Sequence, residues 1–411
     1  MRRPKGTLRA LLALSTACLA LDAAAAAASA PPWLPDVPSE WTMVRPGPIE
    51  VGGTVYQPTC SGLPGTDPGF HFWAKRGSLD AVVVFFEGGG ACWDNLTCTF
   101  PIAAGLPPVV PGFYKPAILP TDDPRTYSGI FDLANPANPV KDWSFVYIPY
   151  CTGDVHLGSA TRDYANAGHP VLPLPPTFTI RHRGFDNFMV VLEWMRSHFA
   201  DPNRILVTGS SAGAYGAAGN FPWIAEAYPR SHLHVLADAG QGVTTGAWDY
   251  GSPGRESWNP TLPPWVSGSG EPTPRTWEIL RVAAEQYPHA KVSQFTTRLD
   301  GVQISFYGVM KGLYGPGGLC PYPAADWNQQ MVGALRAYAA ETDNYRFYLA
   351  GGTYHTIMRS PLFFQESSAG IPFAGWLAGM LRSQGGTGGQ GGLPWSNAAC
   401  PGCLDPVPCS P

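Results

Sequence analysis

Residues 204–220, RILVTGSSAGAYGAAGN, leave few folds open to this chain. Ile205, Leu206 and Val207 form a short apolar run, the mark of a strand buried on both faces. Gly209-Ser210-Ser211-Ala212-Gly213 follows at once and fits G-x-S-x-G, and small residues continue as far as Gly219. Strand, sharp turn and small-residue helix together read as a nucleophile elbow. Glycine or alanine is needed there because the turn is tight and the helix must pack close to the strand. Ser211 is expected at the apex, with the first helical amides pointing at whatever its hydroxyl attacks. A glycine-rich turn with a solvated serine would match the pentapeptide equally well. The strand before it and the helix after it favour the elbow.

A serine hydroxyl is a weak nucleophile at neutral pH and needs a base, itself oriented by a carboxylate. The α/β-hydrolase chain order is serine, acid, histidine. Ser211, Asp300 and His355 satisfy it, with Asp300 after an expected strand at 292–297 and His355 after one at 345–349. Asp238, at the end of the strand 232–237, satisfies it too. Asp300 is preferred, because Asp238 closes the strand immediately after the nucleophile unit. His156, His169 and His182 precede the serine, His234 is mid-strand, and His289 precedes the acid.

The run 81–86, AVVVFF, is the most apolar strand in the chain, and it ends in Glu87-Gly88-Gly89-Gly90. Three glycines after a buried strand are costly in entropy unless the backbone must approach something closely. Their amides suit an oxyanion hole made by Gly89, Gly90 and Ala212; a plain strand-to-helix turn is the alternative. Glu87 is expected to be a buried hydrogen-bonding support. The loop 149–158 brings Cys151, Asp154 and His156 together, but at the wrong spacing for zinc. It is read as a pocket wall, with Asp154 and His156 touching substrate alongside Trp93 and Tyr215. No cofactor and no metal is expected.

The 411-residue chain opens with a basic head, an apolar stretch at 11–20 and an alanine run, which read as a signal peptide over residues 1–30, cleaved at about 25–30. Its removal takes four basic residues and Asp22 and moves the formal charge from -4 to about -7. An acidic chain without a basic cluster argues against a nucleic-acid partner, and no later stretch is long and apolar enough for stable membrane insertion. Eight cysteines remain after the leader: Cys60, Cys92, Cys98, Cys151, Cys320, Cys400, Cys403 and Cys409. In a secreted or periplasmic protein they read as up to four disulfides; Cys92 with Cys98 would close a short loop, and the other pairings stay open.

Gly and Pro number 48 and 44, which implies long loops on a packed core. The expected organisation is a proline-rich lead-in at 31–50, a catalytic domain at 51–383, and a Gly-rich, cysteine-bearing tail at 384–411. Segments 71–75 and 81–86 are expected to pair as a hairpin, and 107–139 to be a surface insertion. Residues 246–274 read as a loop or lid carrying three tryptophans. Helices are expected at 183–199, 277–286, 327–340 (capped by Asp326) and 372–381. The fold class is α/β, α/β-hydrolase-like: a mostly parallel central sheet, helices on both faces and long disulfide-tied insertions. A monomer is expected.

FFEGGGACW at 85–93, YIPYCTGDVHLG at 147–158, VTGSSAGAYG at 207–216, ADAG at 237–240, LDGVQ at 299–303 and YHT at 354–356 occur in one order along the chain. In this set the chain resembles the pectin acetylesterase family, which includes the animal Notum carboxylesterases. The resemblance implies a secreted, cysteine-rich serine esterase with its triad on Ser211, Asp300 and His355 and oxyanion donors on Gly89, Gly90 and Ala212. Plant and animal members usually carry tryptophan directly after the glycines, where this chain has Ala91; the pocket wall is expected to differ. The resemblance favours deacetylation of pectin-like polysaccharide. The aromatic content suits a lipidic acyl group or a polyester as substrate instead, and a binding protein on a hydrolase scaffold is the non-catalytic alternative.

Overall fold

The computed structural model describes residues 35–102, 112–267, 273–315, 320–382 and 395–409. The expected signal peptide and most of the Gly-rich segment lie outside the described residues. Nine strands form the central sheet: β1 Thr42–Val44, β2 Phe72–Lys75, β3 Ala81–Phe86, β4 Ser144–Ile148, β5 Arg204–Ser210, β6 His232–Asp238, β7 Lys291–Thr297, β8 Tyr345–Ala350 and β9 Ala398–Ala399. Their order is β1-β2-β4-β3-β5-β6-β7-β8-β9. Strand β2 runs antiparallel to β1 and β4, and every other neighbouring pair is parallel. The chain builds outward from β3 to β4, then returns to the far side of β3 to lay down β5 and its successors. The carboxyl ends of β3 and β5 therefore flank a topological switch point, where open α/β sheets form their binding crevice. Gly88 to Gly90 follow one of these ends and Ser211 the other.

Strand periodicity divides the core. Val82, Val84 and Phe86 face one layer, while Val83 and Phe85 face the other. The first layer holds helices α1 Gly184–His198, α2 Ala212–Ala227, α3 Ile279–Gln286 and the amphipathic face of α5 Pro323–Glu341, through Phe188, Phe221, Leu280 and Met331. The second holds α6 Phe373–Leu381 and the loop around Phe131. Helix α4, Gly301–Tyr314, lies between β7 and α5 in sequence. This is the mostly parallel, helix-flanked sheet of an α/β-hydrolase.

Several local expectations change. Segments 72–75 and 81–86 are not a hairpin; β4 lies between them and pairs with both. The crossover arises because Val82 to Phe86 are buried on both faces and take the central position, leaving the less apolar β2 toward the edge. Asp326 does not cap α5, whose first residue is Pro323; it sits inside the helix, buried, bonded to Lys311 and Tyr307. Part of 107–139 is core: Tyr114, Lys115, Ile130 and Phe131 are buried. The segment 246–274 holds short helical turns at Gly246–Tyr250, Arg255–Trp258 and Pro264–Ser267. Disulfides join Cys60 to Cys151, Cys92 to Cys98, Cys320 to Cys409 and Cys400 to Cys403.

A tight constraint lies between β3 and the start of α2. A Cβ on Gly213 would collide with the Phe86 carbonyl, and one on Gly209 with the Gly213 carbonyl. Both obstacles are backbone, so neither can rotate away. Gly213→Ala should lower stability by roughly 2–4 kcal/mol, measured as a lower urea midpoint with an unchanged m-value.

Candidate active site

Ser211 is the residue between β5 and α2, and its φ of 59° and ψ of -124° lie outside the ordinary allowed regions. A non-glycine residue persists there only when its surroundings hold it. The holding bonds are explicit: the Ser211 amide donates to the Asp238 carbonyl at 2.8 Å, and the Ala214 amide to the Ser211 carbonyl at 2.9 Å. Ala212 is the first residue of α2, so its amide has no carbonyl four residues back to bond.

Across the switch point, Gly90 has a φ of 72°, and a Cβ there would strike the Phe113 carbonyl. The strip around Phe113 holds the glycines from outside, through Ala91 amide to Phe113 carbonyl and Lys115 amide to Gly89 carbonyl, each 2.8 Å. Among the described residues the Gly89 and Gly90 amides have no intramolecular acceptor. Gly90 and Ala212 line the cavity described below, whereas Gly89 does not.

The segment after β8 is zipped along the segment after β7. The Arg298 amide donates to Ala350, the Leu299 amide to Gly352 and the Gly301 amide to Thr353. This lays His355 beside Asp300, with Nδ1 2.9 Å from Oδ1 and 2.8 Å from Oδ2. Asp300 also caps α4, accepting from the amides of Val302 and Gln303 and from the Gln303 side chain. A fully buried carboxylate with this many donors is held in one orientation. With Nδ1–H donated to Asp300, the lone pair of His355 is on Nε2, which is buried and unbonded among the described residues.

Ser211 and His355 line one cavity of about 70 Å³. Its remaining wall is mainly apolar: Trp93, Val155, Trp248, Trp258, Phe306 and Met310. The three tryptophans pack edge to face, Trp93 on Trp248 at 5.6 Å and Trp248 on Trp258 at 5.5 Å, and the Trp258 indole donates to the Cys92 carbonyl. Tyr215 lines the cavity too, and its hydroxyl accepts from the Gly242 amide. Asp154 and His156 do not reach it. Asp154 is fully buried and accepts from Thr152, His156 and Gly184, with burial pushing its carboxyl up to about 6. His156 donates through Nε2 to the Glu87 carbonyl and is held neutral, burial lowering it to about 4. They were expected to touch substrate from a pocket-wall loop; both are spent on holding that buried loop, and the apolar Val155 between them faces the cavity.

The sequence reading missed Gln303, which lines the cavity and orients Asp300. The signal was Asp300-Gly301-Val302-Gln303, an acid followed three residues on by glutamine at a helix start. Glu87 is a buried support, as its position suggested. It pairs with Lys115 at 2.8 Å and Arg359 at 2.9 Å, and accepts from the Tyr150 amide. Burial pushes its carboxyl up, but the two cations outweigh this and hold it at about 2. Among the described residues the one cluster with metal-ligand proximity is Cys92, Cys98 and His182, and its two thiols are joined in a disulfide.

A pectinacetylesterase family model matches residues 57–247 of the chain. Over this segment the chain is similar to the pectin acetylesterase family. The match contains Gly89, Gly90, Ser211 and Asp238 and ends before Asp300 and His355. The palmitoleoyl-protein carboxylesterase NOTUM of Homo sapiens is 26% identical over 194 residues, covering 44% of this chain and 34% of that protein. The Mus musculus protein of the same name is 25% identical over 194 residues, covering 44% and 33%. The match thus spans about a third of the length of these curated relatives.

The Glu87 network makes an acid-stability prediction. A carboxylate depressed from about 4.3 in the unfolded chain to about 2 in the folded one adds stability above the former value, which is lost as pH falls toward the latter. Asp122, raised to about 6 by burial and the Glu87 charge, acts with the opposite sign between about 6 and 4. Glu87→Gln should therefore flatten the loss of stability below about pH 4.5. It should also cost roughly 3–5 kcal/mol at pH 7, because Arg359 loses its carboxylate partner and Lys115 keeps only Asp122. Urea unfolding at a series of pH values measures both effects.

Proposed function

We propose that the chain is an exported serine carboxylesterase that releases short acyl groups, acetyl foremost, from a polysaccharide or other acylated carrier. The observation that carries this is the convergence of three features on one cavity. These are a serine at a strained strand-to-helix turn, an orphan helix N-terminal amide beside it, and a histidine whose outer nitrogen is fixed on a buried carboxylate.

In this reading His355 Nε2 takes the Ser211 proton as Oγ attacks the ester carbonyl. Backbone amides of Gly90 and Ala212, with Gly89 beside them, hold the oxyanion. The alkoxide leaves with the proton from His355, and an acyl-serine remains. Water then gives a proton to the same nitrogen and attacks the acyl carbon; the Oγ–acyl bond breaks, and His355 returns the proton to Ser211 Oγ. Asp300 holds the ring and stabilises the imidazolium without itself being protonated.

Cavity size supports the short acyl group. About 70 Å³ is half of the roughly 150 Å³ that accepts a benzene molecule in an engineered protein core, and an extended lipidic chain needs far more. The relatives that match are named for palmitoleoyl-protein esters, while the matching family model is named for pectin acetyl esters; the cavity favours the latter acyl length. Export is supported by the four disulfides and by the amino-terminal leader pattern.

The test is hydrolysis of p-nitrophenyl esters from acetate to palmitate. Acetate and butyrate should give the highest kcat/KM, and Ser211→Ala should lose at least about 10³-fold. Asp300→Asn should lose roughly 10³–10⁴-fold with KM nearly unchanged, because it reverses the histidine tautomer. A palmitate optimum would overturn the short-acyl reading. A folded wild-type chain inactive on every ester would overturn catalysis itself and favour a binding protein.

A further inference from the structure

Asp238 is fully buried at the end of β6, beside the site but outside the proposed triad. Its Oδ2 accepts from the Ser210 hydroxyl at 2.6 Å and from the Met358 amide at 2.9 Å. The Ile357 amide lies 3.1 Å from each carboxylate oxygen. Its own carbonyl accepts from the Ser211 amide at 2.8 Å. One residue thus binds the nucleophile turn through main chain and side chain, and the segment just beyond His355 through its side chain. The backbone on both sides is forced: Ser211, Ala239 and Thr356 all have positive φ, at 59°, 59° and 69°.

We propose that Asp238 is a positioning residue that sets the distance and angle between Ser211 and His355; the inference rests on the serine-esterase reading above. Every group that faces the carboxylate donates a hydrogen: one hydroxyl and two amides. Oδ2 accepts from all three donors and Oδ1 shares the Ile357 amide, so the ionised carboxylate fits, whereas an amide would turn its NH2 toward a donor. Burial works against that state and pushes the group up to about 6 despite these bonds. A buried carboxylate kept ionised at such a cost is better explained by the two segments it joins than by packing, which an apolar side chain would fill more cheaply. Asp300 already occupies His355 Nδ1, so Asp238 acts on the histidine through the backbone of residues 356–358. The Asp238 carboxylate and His355 also interact electrostatically.

The test compares Asp238→Asn and Ser210→Ala with wild type on p-nitrophenyl acetate, each checked for folding by urea unfolding. A misplacement of about 1 Å costs up to about 10²-fold in rate. Asp238→Asn should therefore lower kcat roughly 10–100-fold with KM within about twofold, and should slow labelling of Ser211 by a fluorophosphonate in proportion. Ser210→Ala removes one donor only, folds more safely, and should lower kcat several-fold. In a His355→Ala background, Asp238→Asn should cost less than about twofold, because the group it positions is gone. Wild-type kcat in a folded Asp238→Asn variant overturns the proposal. So does wild-type kcat in Ser210→Ala where the first variant fails to fold, and so does a full loss that persists in the His355→Ala background. A wild-type chain that neither hydrolyses esters nor takes the label fails on the esterase reading itself, which active wild type with inert variants does not.

Discussion

The arrangement depends on one backbone-to-backbone approach, that of the first turn of α2 onto the end of β3. Gly209 and Gly213 let the nucleophile turn sit against the Phe86 and Glu87 carbonyls with no side chain between. This approach places the orphan amide of Ala212 opposite the amides that follow Glu87. A sheet with any other order would separate them. Because β3 and β5 are adjacent and lie at the point where strand order reverses, both sets of amides open into the same crevice.

The segment 353–360 is the counterpart to that rigid floor. It has no secondary structure beyond turns, yet it is gripped by three carboxylates from three strand ends. Asp300 after β7 takes His355, Asp238 at the end of β6 takes the amides of Ile357 and Met358, and Glu87 after β3 takes Arg359. A loop held this way keeps the precision of a scaffold element. The grip is electrostatic and buried, so it is strong in place and vulnerable to loss of any single partner.

What could be read in the sequence follows from which signals are local. The elbow was legible because strand, turn and helix are contiguous and each has its own residue signature. The sheet's parallel character was legible from the doubly apolar strands 81–86 and 205–207. The hairpin between 72–75 and 81–86 was misjudged because strand adjacency in sequence says nothing of a third strand inserting between them. Helix α4 was missed: Gly301, Gly308 and Gly312 dilute its apolar period, and Asp300 was considered only as an acid, not as a cap. The loop 149–158 was read as a pocket wall without a way to tell which side chain faces inward; Val155 does, while Asp154 and His156 bond to Gly184 and Glu87 behind it. The role of Asp238 was illegible, since its partners lie 28 and about 120 residues away.

Backbone strain ties these observations together. Val155, His156, Ser211, Ala239 and Thr356 all have positive φ without being glycine, and each such residue costs of order 1–3 kcal/mol. They surround the cavity floor and wall, and each lies next to a fixed point. Cys151, bonded to Cys60, anchors the loop of Val155 and His156, and the Val155 amide donates to the Tyr150 hydroxyl. Cys92, bonded to Cys98, anchors the wall that Trp258 caps. A disulfide contributes roughly 2–4 kcal/mol, comparable with one or two strained residues. The Cys60–Cys151 and Cys92–Cys98 disulfides and the ion pairs of Glu87 therefore sit beside strained backbone around the cavity and offset part of its cost.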